Sequence, residues 1–232
     1  LMVMISHSHR FIYLKTFKTA STSTEAALER FCAPAEARAN GVARDAYDGP
    51  EGIIGSRGPA QDASRGTWHG HMPAADVRDA LPRAVWEGYF KFTTLRNPFE
   101  RLVSHFAMRN RAHFAGRVSQ DDRRAAFVDW LDHSPQATQD LDIYGIDGTP
   151  VIDAAIRLEH LTEDRAALCA RLDLGTVDWP HLRNNPDRWA KVGDWRALYT
   201  PRALARVADL YHWELAEYGY HAPALETSQT TD

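Results

Sequence analysis

Twice in this chain a short run rich in apolar, aromatic or β-branched residues ends in a cationic segment that leads into a helical pattern. Phe11-Ile12-Tyr13-Leu14 precedes FKTASTST at 17–24, and Glu25–Phe31 follows. YFKFTTL at 89–95 precedes Arg96 and then Asn97-Pro98, an N-cap with proline at the first helical position. Short runs rich in aromatic and β-branched residues read as strands buried on both faces. Strands that hand over at once to helices build layered folds. The expected class is therefore α/β: a three-layer, P-loop-like fold with a central parallel β-sheet flanked by helices. In such sheets ligands collect at the carboxyl ends of strands, and both cationic segments fall there.

The first segment asks for more than a helix cap. Thr22 and Glu25, three apart, make a capping box, which accounts for one or two hydroxyls but not for the lysine. A helix N-terminus offers unpaired N–H groups and a positive dipole end. Lys18, Thr19, Ser21, Thr22 and Ser23 around it can wrap a phosphate or a sulfate. The second segment repeats the logic. Arg96 stands at a strand end, and Arg101 and Ser104 are three apart on the next helix, so they share a face. A guanidinium and a hydroxyl converging there make a phosphate clamp. The alternative is that Arg96 and Arg101 pair with carboxylates such as Glu100. Two anion sites at neighbouring strand ends suit a ligand with phosphates at both ends of a nucleoside.

A third constellation is WHGHMPAADV at 68–77. Alternate histidines on an extended segment project to one side, but no third ligand lies at metal-site spacing. The expectation is therefore no metal. His71, just before a helix start, is placed to act as a general base near neutrality, with a structural role left for one of the pair.

Other elements follow from pattern. Helices are predicted over Thr22–Ala39, Ala74–Leu81, from Asn97 to Arg109, over Gln120–Leu131 behind Ser119, and from Thr162 to Leu172. Asp147-Gly148 signals a turn between Ile143–Ile146 and Val151–Ile156. The last helix opens at Thr200-Pro201, carries Leu204, Val207, Tyr211, Leu215 and Tyr218 on one stripe, and stops at Gly219. Residues 40–68, rich in glycine, read as a long surface loop, acceptor-side or disordered. The organisation expected is one domain over 1–222 with a disordered tail at 223–232. A net charge of −4 argues against nucleic acid and anionic membranes as partners. Two cysteines, Cys32 and Cys169, are too few for a disulfide framework and read as buried thiols. No apolar stretch reaches the length of a membrane span.

KTASTS at 18–23 and RNPFERLVS at 96–104, with His69-Gly70-His71 between them, resemble the sulfotransferases that use 3′-phosphoadenosine 5′-phosphosulfate (PAPS). The likeness is closest to the carbohydrate branch, especially the uronyl 2-O-sulfotransferases of heparan and chondroitin sulfate. It continues weakly through RLEHLTED at 157–164 and through 198–220. The resemblance implies a 5′-phosphosulfate loop made by Lys18, Thr19, Ala20, Ser21, Thr22 and Ser23. It implies a 3′-phosphate site made by Arg96 and Ser104, with His71 as base and Lys18 and His69 in supporting catalytic roles. The implied donor is PAPS, the product adenosine 3′,5′-bisphosphate, and the acceptor a carbohydrate or glycan hydroxyl. A cytoplasmic location is expected, the alternative being a Golgi-lumen catalytic domain separated from its anchor. A P-loop kinase or NTPase is disfavoured because Lys18-Thr19 has no glycine in the preceding turn. A non-catalytic nucleotide- or glycan-binding module of the same fold is the other alternative. Lys18 and His71 argue against it.

Overall fold

A computed structural model of the chain, describing residues 3–38, 45–56, 68–114, 118–180 and 192–225, builds its sheet around the two runs at 11–14 and 89–95. Contacts divide the chain into two compact units: Leu1–Leu95 with Asp140–Arg183, and Arg96–Gln139 with Asn184–Asp232.

The first unit holds a six-stranded sheet. Its strands are β1 (Met4–Ser6), β2 (Phe11–Leu14), β3 (Tyr47–Gly49), β4 (Gly52–Ile54), β5 (Phe90–Leu95) and β8 (Ala154–Arg157), in the order β3-β4-β1-β2-β5-β8. β2, β5 and β8 run parallel, as expected; β1, β3 and β4 pair antiparallel, so the sheet is mixed. Alternation along each strand divides the core in two. Met4, Phe11, Tyr13, Phe92 and Ile156 pack with Leu28, Cys32, Leu168 and Leu172. Ile5, Ile12, Leu14 and Ile53 pack with Trp68, Met72, Ala74, Val77 and Ile143. The first set includes residues of α1 (Ser21–Leu28) and α7 (Leu161–Leu172), the second of α2 (Ala74–Ala80) and α6 (Gln139–Tyr144). Helices therefore lie on both faces, giving the predicted three layers. Each fully buried large apolar side chain here contributes about 1.5–3 kcal/mol.

Several elements depart from the pattern reading. α1 ends at Leu28, not near Ala39: Glu29–Phe31 tightens into a 3₁₀ turn, and Pro34 cannot continue a helix. A further short helix, α3 (Arg83–Gly88), follows Pro82. The stretch read as a long loop contains the β3–β4 hairpin, which widens the sheet; its residues 40–44 and 57–67 lie outside the described residues. Glycine is required at Gly52, where a Cβ would collide with the backbone oxygen of Ile5. Asp147 and Gly148 do turn the chain, both at positive φ, between β6 (Gly145–Ile146) and β7 (Thr149–Pro150). Ile143, however, belongs to α6, and pairing in the next strand starts only at Ala154. Thr162 lies inside α7 and does not cap it.

The second unit is helical. α4 (Pro98–Arg109) starts where predicted, its N-cap Asn97 accepting the Phe99 N–H. α5 (Gln120–His133) is capped by Ser119. Phe106, Phe127 and Trp130 pack as an aromatic cluster, and the Tyr199 hydroxyl donates to the Phe99 carbonyl at 2.8 Å. The closing helix is broken at Tyr211 into α8 (Pro201–Leu210) and α9 (His212–Tyr218), and Gly219 stops it at φ 67°. Its buried stripe is Ala203, Val207, Tyr211 and Glu214, with Leu204, Leu215 and Tyr218 only half-buried. Residues 226–232 of the expected tail lie outside the described residues.

Candidate active site

β2 delivers the chain to the loop at Lys15. Lys18 and Ala20 take left-handed φ values of 59° and 57°, with Thr19 between them at negative φ. Non-glycine residues seldom accept that conformation, and such strain gathers at binding sites. An alternation in the sign of φ is the backbone pattern from which anion nests are built. α1 then opens from Ala20 with no side-chain cap. Among the described residues the N–H groups of Thr19, Ala20, Ser21 and Thr22 meet no acceptor, while those of Ser23 and Thr24 donate to the Ala20 carbonyl.

The predicted capping box does not form. Glu25 is drawn instead to Lys15, and both side chains are only 1% exposed. Beneath the loop lies a buried hydroxyl network. Thr16 donates to the Thr94 carbonyl and shares a bond with the Thr19 hydroxyl at 3.0 Å. The Thr94 hydroxyl bonds those of Thr19 at 2.7 Å and Tyr13 at 3.0 Å. Burial pushes the Tyr13 phenol well above its ordinary range, so it stays neutral. Thr19 thus commits its hydroxyl to β5 and has only its amide to offer an anion. Ser21 and Ser23 are buried, Thr22 and Lys18 half-buried.

His71 belongs to the same unit and reaches the same strand end. It is 7% exposed, at a left-handed φ of 48°. Its Nδ1 lies 2.8 Å from the Lys15 carbonyl, and its ring stacks on Phe17 with centroids 3.3 Å apart and planes 15° apart. A carbonyl can only accept, so Nδ1 carries the proton and Nε2 is the basic nitrogen of the neutral ring. His69 is exposed, and its Nδ1 bonds the adjacent Gly70 carbonyl at 3.1 Å. The structure joins His71 to the loop and leaves His69 outside.

Arg96, in the second unit, directly follows β5. It is 8% exposed and pairs with Glu100 one helical turn on, the carboxylate weighed against it in sequence. Arg101 is withdrawn from the expected clamp altogether. Its guanidinium is 1% exposed, bonds Glu214 at 3.0 Å and covers the Tyr211 ring at 4.6 Å. Ser104 is buried on α4.

Sequence reading missed Lys15, Glu25, Thr16, Thr94 and Asp140. The pair of threonines ending β5 was the one available signal, since hydroxyls at the end of a buried strand need partners. Asp140 is buried in α6, and its Oδ1 accepts the Phe17 N–H at 3.0 Å. Both cysteines are free: Cys32 is buried, which pushes its thiol up, whereas Cys169 is only half-buried.

Among known families, the model of the one described as the sulfotransferase family matches residues 2–141. That is more than half of the 232 residues and spans the loop, both histidines, Arg96 and Ser104. The chain belongs to the sulfotransferase family. No curated protein and no solved structure matches it. Membership carries sulfuryl transfer in general, and implies a nucleotide donor and a hydroxyl acceptor. Among the described residues of this sulfotransferase, no helix is long and apolar enough to cross a membrane. Among them, too, no group of three His, Cys, Asp or Glu could hold a metal ion.

Proposed function

We propose that this sulfotransferase moves the sulfuryl group of PAPS to a carbohydrate or glycan hydroxyl, by in-line displacement with His71 as general base. The observation that carries the reading is the join between His71 and the loop, through the Lys15 carbonyl and the Phe17 ring. It ties His71 to residues 15 and 17, directly ahead of the left-handed turn at Lys18 and Ala20, which supports a base acting at an anion held there. The chemical fit to a phosphosulfate is good: unpaired N–H groups, a lysine and a helix start all favour an anion.

The donor supplies the sulfuryl group and the leaving phosphate; the chain binds, orients and moves a proton. The amides of Thr19 to Thr22 and the hydroxyls of Ser21 to Ser23 hold the phosphosulfate. Lys18 offsets the charge that grows on the departing phosphate oxygen, a preorganised contribution of about 3 kcal/mol. His71 Nε2 takes the acceptor proton, while the Lys15 carbonyl stabilises the imidazolium that results. A positioned base contributes roughly 10²–10⁴-fold. Arg96, oriented by Glu100, and Ser104 take the 3′-phosphate. His69 touches the acceptor or leaves catalysis unaffected. The carbohydrate acceptor is supported by the likeness of KTASTS and His-Gly-His to the uronyl 2-O-sulfotransferases.

The direct test is incubation with sulfur-labelled PAPS and a panel of glycans and small hydroxyl acceptors. Label should pass to a glycan with equimolar adenosine 3′,5′-bisphosphate formed. Transfer only to a phenol or a steroid would overturn the carbohydrate acceptor, and an unconsumed donor with every acceptor would overturn the catalytic reading.

A further inference from the structure

We infer that Asp140 is a positioning residue for the donor loop and, through Phe17, for His71. The inference rests on the proposed reaction for its kinetic consequences, but its geometry stands apart from it. Asp140 comes from α6, far along the chain from either motif, and is 5% exposed. Burying a carboxylate is costly unless it is well hydrogen-bonded. One of its bonds is the Phe17 N–H at 3.0 Å.

Phe17 is the last residue before the left-handed turn at Lys18. An acceptor on its N–H fixes the peptide plane that leads into the nest, and so the direction in which the following amides face. A loop held that way needs no reordering when the anion binds, and preorganisation of this kind shows as affinity.

The same residue serves the base. The Phe17 ring is 6% exposed and lies flat on the imidazole of His71, with centroids 3.3 Å apart. The Lys15 carbonyl holds the edge of the imidazole while Phe17 holds its face. Two constraints on one ring set the direction of the Nε2 lone pair, which is the geometry a general base depends on. Asp140 therefore governs the loop directly and the base at one remove. The backbone of Phe17 carries one function and its side chain the other, so the two can be separated by mutation.

The test compares Asp140→Ala, Asp140→Asn and Phe17→Leu in the full chain, by kinetics and by ¹⁵N spectra of the Phe17 amide and the His71 ring. Asp140→Ala should raise the donor KM about tenfold, lower kcat, and move the Phe17 amide proton upfield. Asp140→Asn keeps an oxygen acceptor and should recover most of both. Phe17→Leu keeps the N–H but loses the flat ring, so kcat should fall about tenfold with donor KM unchanged. Wild-type kinetics and an unmoved Phe17 amide in Asp140→Ala would overturn the inference. So would Asp140→Asn as impaired as Asp140→Ala with its amide resonance in place, since the carboxylate would then act by charge. If the wild type turns over no PAPS, the proposed reaction fails, yet the spectra still decide the positioning: an unchanged Phe17 amide and His71 tautomer in Asp140→Ala would overturn it.

Discussion

His71 is buried and held from the loop by two groups, the Lys15 carbonyl on Nδ1 and the Phe17 ring on its face, whereas the exposed His69 has the adjacent Gly70 carbonyl on its Nδ1. His71→Ala should therefore lower turnover by about two to four orders of magnitude with donor affinity nearly kept. His69→Ala, which removes an exposed ring, should do much less. In the wild type, activity should fall on the acid side of the pH profile, because protonation removes the lone pair on Nε2. Saturating-donor kinetics on both variants decide the assignment; a fully active His71→Ala enzyme would falsify it. Lys15 and Glu25 form a different kind of contact, an ion pair between two buried side chains. Breaking a buried ion pair by removing one partner is strongly destabilising, so Glu25→Ala should cost about 3–5 kcal/mol in denaturant unfolding. A loss below 1 kcal/mol would mean that water reaches Lys15. Arg96→Ala should weaken donor binding by about 2–5 kcal/mol, with less effect on the bound chemistry, since a 3′-phosphate is remote from sulfur. Unaltered donor affinity would reduce Arg96 to the partner of Glu100.

At the scale of elements, β8 and α7 are clasped by Arg157 and Asp164. The carboxylate accepts the Arg157 backbone N–H at 2.8 Å and two guanidinium bonds at 2.8 and 2.7 Å. Partial burial raises the Asp164 pKa, but these bonds and the charge of Arg157 outweigh it, leaving the group below its ordinary value. A depressed carboxyl stabilises the fold above the unfolded pKa of about 3.9, and that contribution disappears as pH falls through the folded value. Asp164→Asn should thus be about 1–3 kcal/mol less stable than wild type near neutrality, with the gap shrinking towards about pH 3. Urea midpoints at both pH values measure it, and a gap that ignores pH would remove the charge from the explanation. Local chemistry was enough to find several elements. Asn97-Pro98 and Ser119 cap their helices, Asp147-Gly148 turns, and Gly219 stops, each through bonds or dihedrals confined to a few residues. β3 and β4 escaped because three-residue strands rich in glycine have no period to read; their order comes from pairing with β1.

For the molecule as a whole, a ligand with phosphates at both ends should stabilise the fold by linkage. Adenosine 3′,5′-bisphosphate at about 100 times its Kd should add roughly 2.7 kcal/mol, and 5′-AMP at the same concentration clearly less. Equal thermal shifts for the two nucleotides would take the 3′-phosphate clamp out of the mechanism. Local order along the chain was enough to specify two parallel strands handing over to helices and the cationic loop between β2 and α1. These depend on side-chain period, capping and charge within about ten residues, which a chain displays whether or not it is folded. The partners of those residues were decided only in three dimensions. Glu25 reads as half of a capping box and becomes the counter-ion of Lys15. Arg101 reads as a phosphate ligand and is neutralised by Glu214 from the far end of the chain. His71 is indistinguishable from His69 until Lys15 and Phe17 close on it, and Asp140 shows no motif at all. A buried charge or donor takes whichever complementary group packing brings within about 3 Å, and that choice is made by the tertiary fold.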